Sequence, residues 1–87
     1  DAALSPTVPI VAPALHLLLD SDERFFATNA TLLRNPSIVN FLDGCALSLP
    51  CHRPGEWPVG LMLWGPALAD DALLDAGLAI EAALNAR

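Results

Sequence analysis

Between residues 40 and 65, the order of apolar and polar positions predicts two short strands joined by a turn. The expected strands are residues 46–49 and 59–64, and the polar segment from His52 to Glu56 separates them. Residues 59–64 carry apolar side chains on both of their alternating faces. Apolar side chains on both faces are typical of a strand that is covered on both sides. We therefore expect the second strand to lie in a sheet between helices.

The N-terminal third of the chain predicts a strand, an extended segment and a helix start. Residues 2–5 form the expected strand, and the prolines that follow keep the chain extended because each fixes its own φ angle. Asp20 and Glu23 form a D-x-x-E variant of the capping box, in which acidic side chains satisfy amides of the first turn. We therefore expect a helix that begins at Asp20.

Proline and glycine predict where the helices of the first half end. The first helix should end near Arg34, because Pro36 disfavours helical geometry at the residue before it. A second short helix is expected at residues 37–42. Gly44 is predicted to end it, since glycine readily adopts the left-handed conformation of a helix C-terminus.

Helical spacing of apolar residues predicts the buried side of each long helix. The last helix, which Asp70 or Asp71 should cap and which ends near residue 85, has the clearest apolar stripe. The residues expected to face inward are Phe25, Phe26, Leu32 and Leu33 on the first helix, and Leu73, Leu74, Gly77, Leu78, Ile80 and Leu84 on the last.

The composition is unusually apolar for so short a chain. Of 87 residues, 54% are hydrophobic and only 16% are charged, which permits one small domain with little polar surface. An Ala- and Leu-rich composition accounts for part of this excess, but we favour apolar surface that packs against a further part of the protein. Residues 1–87 are therefore expected to form one partial domain. Because the chain begins at Asp1 without an initiator Met, we expect that an upstream segment was removed or left out.

The charge balance argues against two classes of partner. The net charge is −6, from ten acidic residues against four arginines and no lysine. Nucleic acids and anionic membranes favour clustered basic residues, so we expect neither as a partner. Residues 2–19 lack charged side chains, but Pro6, Pro9 and Pro13 exclude a membrane-spanning helix there. The acidic start also lacks the basic region of a signal peptide.

The residues with chemical potential do not form a site by spacing. Cys45 and Cys51 are expected to be free, buried thiols in a reducing cytoplasm, because an extended strand separates them by about 20 Å. With His52 and the distant His16, they do not supply the three or four suitably spaced ligands that zinc requires. Ser48 is expected to be a satisfied buried hydroxyl, not a nucleophile with an adjacent base. We expect no metal, no cofactor and no catalytic residue in this chain.

Four blocks of the sequence together resemble the C-terminal part of the amidase signature family, serine hydrolases that cleave C–N amide bonds. The blocks are DAALSPTVPIVAP, RNPSIVNFLDGCALSLPCH, GEWPVGLMLWGP and DDALLDAGLAIEAAL. They are similar, in order, to the family's D-x-L-L-x-P-T strand, T-x-x-x-N helix with A-x-S-x-P strand, P-V-G-L-Q strand and D-x-x-L-L helix. The chain departs from these family patterns at two places. Asp43-Gly44-Cys45 lacks the proline of the family's turn before the strand, and Met62 stands where the family has glutamine. The segments NFLDGCALSLPCH and PVGLM are most similar to the branch that acts on biuret and carboxybiuret.

The resemblance implies an α/β fold, in which this chain contributes an edge region of about three strands and two to three helices. The complete family fold is an α/β/α sandwich on a large mixed sheet. The family's Lys-Ser-Ser catalytic residues would lie upstream of this chain, so residues 1–87 would be inactive alone. Positions that line the family's substrate pocket correspond to Leu33, Arg34, Pro36 and Val39. Amidotransferase members have an acidic residue at the position of Leu33, which helps to hold the amide nitrogen donor, and leucine cannot take that role. Arg34, in contrast, suits a carboxylated substrate.

Our leading interpretation is the C-terminal fragment of an amidohydrolase. When intact, it would hydrolyse a small amide or ureido compound through a serine acyl-enzyme. Its expected partner is the N-terminal part of the same enzyme, or a second copy of this chain that completes the sheet in a dimer. The alternative is a small non-enzymatic subunit or interaction module that docks through its apolar face. An initiation codon directly before Asp1 would favour that alternative.

Overall fold

A computed structural model describes residues 2–87 as a three-stranded antiparallel sheet with three helices. In chain order the elements are β1 (Ala3–Pro6), α1 (Leu15–Leu19), α2 (Asp22–Phe41), β2 (Cys45–Pro50), β3 (Gly60–Gly65) and α3 (Asp70–Asn85). The strand order is β1-β3-β2, so β3 is the central strand and both its neighbours have an open edge. This arrangement confirms the expected α/β fold class.

The main core lies between the sheet and α3. Leu63 of β3 is completely buried, and Leu49 of β2 and Leu73 of α3 are buried beside it. Burial of each such side chain contributes about 1.5–3 kcal/mol relative to leaving it in water. Gly77 allows α3 to approach β2 closely, because a Cβ atom there would collide with the side chain of Leu47. The predicted stripe on the last helix is therefore correct at its centre.

The central strand is covered on both of its faces, as predicted. Met62 retains 4% of its surface and Leu63 retains 0%, although strand alternation points their side chains to opposite faces. Met62 pairs with Ser5 of β1 and with Ser48 of β2. α3 packs against the face that carries Leu63, where Leu49 and Leu73 belong to the same cluster.

The start of α2 differs from the prediction by one residue. Ser21 is the N-cap, and its Oγ accepts a hydrogen bond from the Arg24 backbone N–H at 3.2 Å. Asp20 therefore does not cap the helix. Asp22 and Glu23 lie in the first turn, where their negative charge favours the positive end of the helix dipole.

The predicted helix break at Pro36 is wrong, because α2 continues through this proline to Phe41. Proline in a helix interior removes one backbone hydrogen bond and costs about 3 kcal/mol. Two tertiary contacts oppose that cost. The Asn35 side-chain amide donates to the Pro6 carbonyl at 2.8 Å, and Val39 is buried to 4% exposure one turn later. Neither contact is visible in the local sequence.

The end of α2 also differs from the prediction in its left-handed residue. Asp43, with φ at 54°, adopts that conformation, whereas Gly44 does not. The Gly44 N–H donates to the Val39 carbonyl at 2.9 Å and the Asp43 N–H donates to the Asn40 carbonyl at 3.1 Å, which is a Schellman motif. Gly44 is required for a different reason, since a Cβ atom there would lie 2.6 Å from the Gly65 carbonyl oxygen.

Two smaller predictions about helices are also corrected. Residues 15–19 form α1, which contains His16, where the prolines predict extended chain. The N-cap of α3 is Ala69, and no side chain accepts a capping hydrogen bond there. Asp70 and Asp71 instead occupy the first turn, where they act on the helix dipole.

Residues 2–87 form a flat layer with much apolar surface in contact with solvent. The Cα positions extend 43 × 34 × 13 Å, and their radius of gyration is 14.9 Å. A compact domain of this length has a radius of gyration of about 12 Å. Within this described part of the chain, seventeen large apolar side chains are exposed. They include five that the helix patterns predicted to be buried, which are Phe25, Phe26, Leu33, Leu74 and Leu78.

The exposed aromatic side chains have a simple geometric cause. A helix of 20 residues is about 30 Å long, and only the C-terminal part of α2 reaches the sheet. Phe25 and Phe26 lie near the other end, where α2 contacts α1. Their rings contact each other edge to face with centroids 5.6 Å apart, and no described layer covers them.

Candidate functional site

Three polar or glycine positions from three separate strands meet at one end of the sheet. The hydroxyl oxygens of Thr7, just after β1, and of Ser48, in β2, lie 2.5 Å apart and share a hydrogen bond. The Thr7 backbone N–H also donates to the carbonyl of Gly60 in β3 at 3.0 Å. We call Thr7, Ser48 and Gly60 the hydroxyl cluster. It joins all three strands at their common end.

Gly60 is the residue that leaves room for the two hydroxyls. A Cβ atom at this position would lie 2.7 Å from the Oγ of Ser48 and 2.7 Å from the Oγ1 of Thr7. Any larger side chain would therefore separate the pair. The sequence offered one signal for this cluster, since Thr7, Ser48 and Gly60 each occupy a position in one of the three family strand patterns. Their convergence could not be predicted from those patterns.

The hydroxyl cluster has no group that would activate a nucleophile. Ser48 was predicted to be buried, but it is exposed. Its hydroxyl does have a hydrogen-bond partner, as predicted, and that partner is Thr7. The Nδ1 atom of His52 lies 3.2 Å from the Val59 backbone nitrogen and 3.4 Å from the Val59 carbonyl oxygen, so in either tautomer this ring atom is occupied in closing the β2–β3 loop. A serine nucleophile requires a base within hydrogen-bond distance. The cluster is therefore a link between strands.

The four residues predicted to line a substrate pocket lie on α2 with different environments. Leu33 and Arg34 are exposed, Pro36 is half-buried and Val39 is buried. Arg34 and Val39 are five positions apart, which places them about 140° apart around the helix. The Nε of Arg34 donates to the Asn35 side-chain oxygen at 3.4 Å, and Asn35 in turn holds the Pro6 carbonyl. A shared pocket wall at these four residues stays a prediction.

Both cysteines are free thiols, but they are half-buried where full burial was predicted. The Sγ of Cys45 donates to the Pro66 carbonyl at 3.3 Å, and the Sγ of Cys51 donates to the Val59 carbonyl at 3.6 Å. Desolvation raises the pKa of Cys45, and the nearby Asp70 carboxylate raises it further. A raised pKa leaves Cys45 mainly as the less reactive thiol at neutral pH.

The described part of the chain contains neither a metal site nor a membrane-spanning helix. Within residues 2–87, no group of three or more His, Cys, Asp or Glu side chains could hold a metal ion. In the same residues, no helix has the length and apolar character needed to cross a membrane.

Comparison with known proteins identifies amidase-type relatives for nearly the whole chain. The chain is 36% identical over 86 residues to 2-amino-5-chloromuconic acid deaminase of Comamonas testosteroni, which covers 98% of this chain and 18% of the relative. It is 40% identical over 87 residues to the A subunit of glutamyl-tRNA(Gln) amidotransferase from Thermobifida fusca, covering 98% of this chain and 17% of the relative. The same protein of Halobacterium salinarum is 30% identical over 81 residues. No protein-family model and no solved structure matches the chain.

These relatives are amidase signature proteins, and the chain matches their C-terminal part. The chain spans less than a fifth of the length of the curated relatives it matches. The family resemblance of the four sequence blocks is thereby supported at the level of the family. The relation to the biuret branch is not, because these relatives carry other names.

Proposed function

We propose that this chain is the C-terminal segment of an amidohydrolase, which cleaves C–N bonds in small amide or ureido compounds. The observation that supports this most strongly is the similarity over 98% of the chain to less than a fifth of two differently named amidase signature proteins. In the proposed enzyme, a serine in another part of the polypeptide forms the acyl-enzyme. The present segment supplies sheet, α3 and one wall of the substrate pocket.

The open surfaces of the molecule support the same proposal. The flat shape, the two open sheet edges and the seventeen exposed apolar side chains leave more apolar surface than a small monomer usually exposes. We propose that the rest of the same polypeptide covers this surface. In one alternative, a second copy of the chain would cover it. In the other, this chain is a non-enzymatic interaction module, and a separate partner protein would cover the surface.

The decisive experiment uses the complete open reading frame that contains these residues. The purified product should release ammonia from at least one compound in a panel of simple amides, biuret and carboxylated ureido compounds. The 87-residue chain alone should release none. If the complete product contains these residues but hydrolyses no amide, the interaction-module interpretation is favoured. Analytical ultracentrifugation of both proteins would then show whether a second copy covers the apolar surface.

The finer proposal concerns an anionic substrate held by Arg34. The guanidinium is exposed on α2, its observed hydrogen bond to Asn35 uses only Nε, and its two terminal nitrogens suit a carboxylate. One relative is named for an acid, 2-amino-5-chloromuconic acid, which supports this choice of substrate class. The resemblance to the biuret and carboxybiuret branch supports it independently.

Arg34→Ala should raise KM for a carboxylated substrate about tenfold or more and leave KM for a neutral amide nearly unchanged. The reason is that a charge-assisted hydrogen bond to a carboxylate contributes about 1.5–3 kcal/mol, whereas a neutral amide gains nothing from the charge. Steady-state kinetics with the two substrates would measure the difference. Arg24→Ala, which removes an exposed arginine at the far end of the same helix, is the matched control. Equal effects of Arg34→Ala on both substrates would remove the proposed role.

A further inference from the structure

A small cavity at one end of the molecule concentrates positive charge in an acidic chain. It lies between the β2–β3 loop and the C-terminal end of α3, has a volume of about 280 Å³, and is lined in part by His52, Arg53, Asn85 and Arg87. The chain carries only four arginines against ten acidic residues, yet two of those arginines line this cavity. None of the side chains that line it is acidic.

Arg87 is held in place before any ligand binds. Its Nη2 donates to the Cys51 carbonyl at 2.8 Å, and its Nε donates to the Leu84 carbonyl at 3.0 Å. These two bonds connect the start of the β2–β3 loop to the end of α3 and fix the plane of the guanidinium. A guanidinium has five N–H donors, so three remain for another acceptor. A fixed donor group loses little conformational entropy on binding.

His52 and Arg53, from the β2–β3 loop, also line the cavity. The Nδ1 of His52 lies 3.2 Å from the Val59 backbone nitrogen and 3.4 Å from the Val59 carbonyl oxygen, so Nδ1 is engaged within the loop, whereas Nε2 has no hydrogen-bond partner within residues 2–87. The backbone N–H of Arg53 donates to the Glu56 carboxylate at 2.6 Å and so closes the turn. Within residues 2–87, no hydrogen bond engages the Arg53 guanidinium, and Glu56 does not line the cavity.

We propose that this cavity binds a small oxyanion of the phosphate or carboxylate class. His52, Arg53, Asn85 and Arg87 line a space that is slightly smaller than most ligand pockets. Guanidinium groups favour oxyanions because their parallel N–H donors match two oxygens at once. The site lies outside the proposed substrate wall on α2, so it does not depend on the proposed hydrolase activity.

The test uses purified complete protein in low-salt buffer, with inorganic phosphate and acetate as the two probes. Phosphate binding is followed by broadening of its ³¹P resonance, and acetate binding by saturation transfer to its methyl protons. Saturable binding of either probe supports the site, and the probe that binds more tightly identifies the ligand class. Added sodium chloride should weaken the binding because it screens the charges. Absence of saturable binding by both probes overturns the proposal.

Variants then locate the binding to this cavity. Arg53→Ala and Arg87→Ala should each weaken binding about tenfold or more, whereas Arg24→Ala on α2 should leave it unchanged. Arg87→Ala also removes two hydrogen bonds that hold the loop, so its thermal unfolding is measured in parallel. Arg53→Ala removes no observed side-chain hydrogen bond and therefore decides the question. Full binding by folded Arg53→Ala would refute the assignment to this cavity.

Discussion

At the scale of single residues, the glycines of this chain have different structural causes, and some of them lie too close to neighbouring atoms to carry a side chain. Gly44 has an ordinary φ angle but lies against the Gly65 carbonyl, and Gly60 lies against two hydroxyls. Gly55, by contrast, has φ at 86°, and a Cβ atom there would have no neighbour within 4 Å, so its turn needs glycine for backbone conformation alone. The same residue type thus meets two unrelated physical requirements.

Gly44→Ala should destabilise the protein by about 1–3 kcal/mol, because the added methyl group would lie against a backbone oxygen that cannot rotate away. Urea unfolding of the purified protein would measure the loss. Gly65→Ala is the matched control, since its Cβ atom would meet only the Leu73 side chain at 3.7 Å, an ordinary contact. Similar losses for the two variants would show that the close approach of Gly44 is not the cause.

Ser48→Ala should reduce stability by about 0.5–1.5 kcal/mol, the usual net value of a hydrogen bond. The Thr7 hydroxyl would lose its partner at the end of the sheet, but it is accessible to water, which limits the cost. Ser37→Ala, at an exposed serine of α2, is the control and should be nearly neutral. A double-mutant cycle with Thr7→Val tests the pair directly, and a coupling energy of zero would contradict the hydroxyl cluster as a link.

At the scale of secondary-structure elements, α2 shows how tertiary contacts outweigh a local preference. Pro36 should end the helix, yet it continues to Phe41 because Asn35 is bonded to the Pro6 carbonyl and Val39 is buried. The strands and α3 were predictable because alternation and helical spacing are local properties of the chain. The path of α2 was not, since its stabilising partner lies 29 positions earlier in the sequence.

Asn35→Ala should loosen the segment of α2 that follows Pro36. Loss of the bond to Pro6 removes one of the contacts that oppose the proline, so backbone amides of residues 37–41 should exchange hydrogen several-fold faster. Hydrogen–deuterium exchange read by mass spectrometry would measure this. Asn29→Ala, at an exposed asparagine earlier in the same helix, is the control. Unchanged exchange in residues 37–41 would mean that packing of Val39 alone maintains the helix.

At the scale of the whole molecule, the described chain is a layer whose outer surfaces remain open. The central strand is covered on both faces, but α3 exposes Leu74 and Leu78 on its side away from the sheet. No further layer of the described chain lies outside α3 to cover these two side chains. The apolar excess of the composition is therefore a property of this surface, and it is where we propose that the rest of the polypeptide packs.

Leu78→Ala in the complete protein should cost about 2–5 kcal/mol if the rest of the polypeptide covers it, as for a core leucine. In residues 2–87 this side chain is 68% exposed, and the same change in solvent would cost less than about 0.5 kcal/mol. Urea unfolding distinguishes the two values, with the buried Leu73→Ala as reference. A near-neutral Leu78→Ala would show that this side of α3 faces water in the complete protein.

Local patterns of side chains were sufficient to predict the three strands, the coverage of the apolar strand on both faces, and the centre of the inward stripe of α3. These features follow from the alternation and spacing of apolar side chains, which act between neighbouring positions. Three others required the folded molecule: α2 passes through Pro36, Asp43 and not Gly44 is left-handed, and Thr7 and Ser48 share a hydrogen bond. These features involve contacts between different elements, such as the hydrogen bond that spans the 41 positions from Thr7 to Ser48, and no local pattern encodes such a contact.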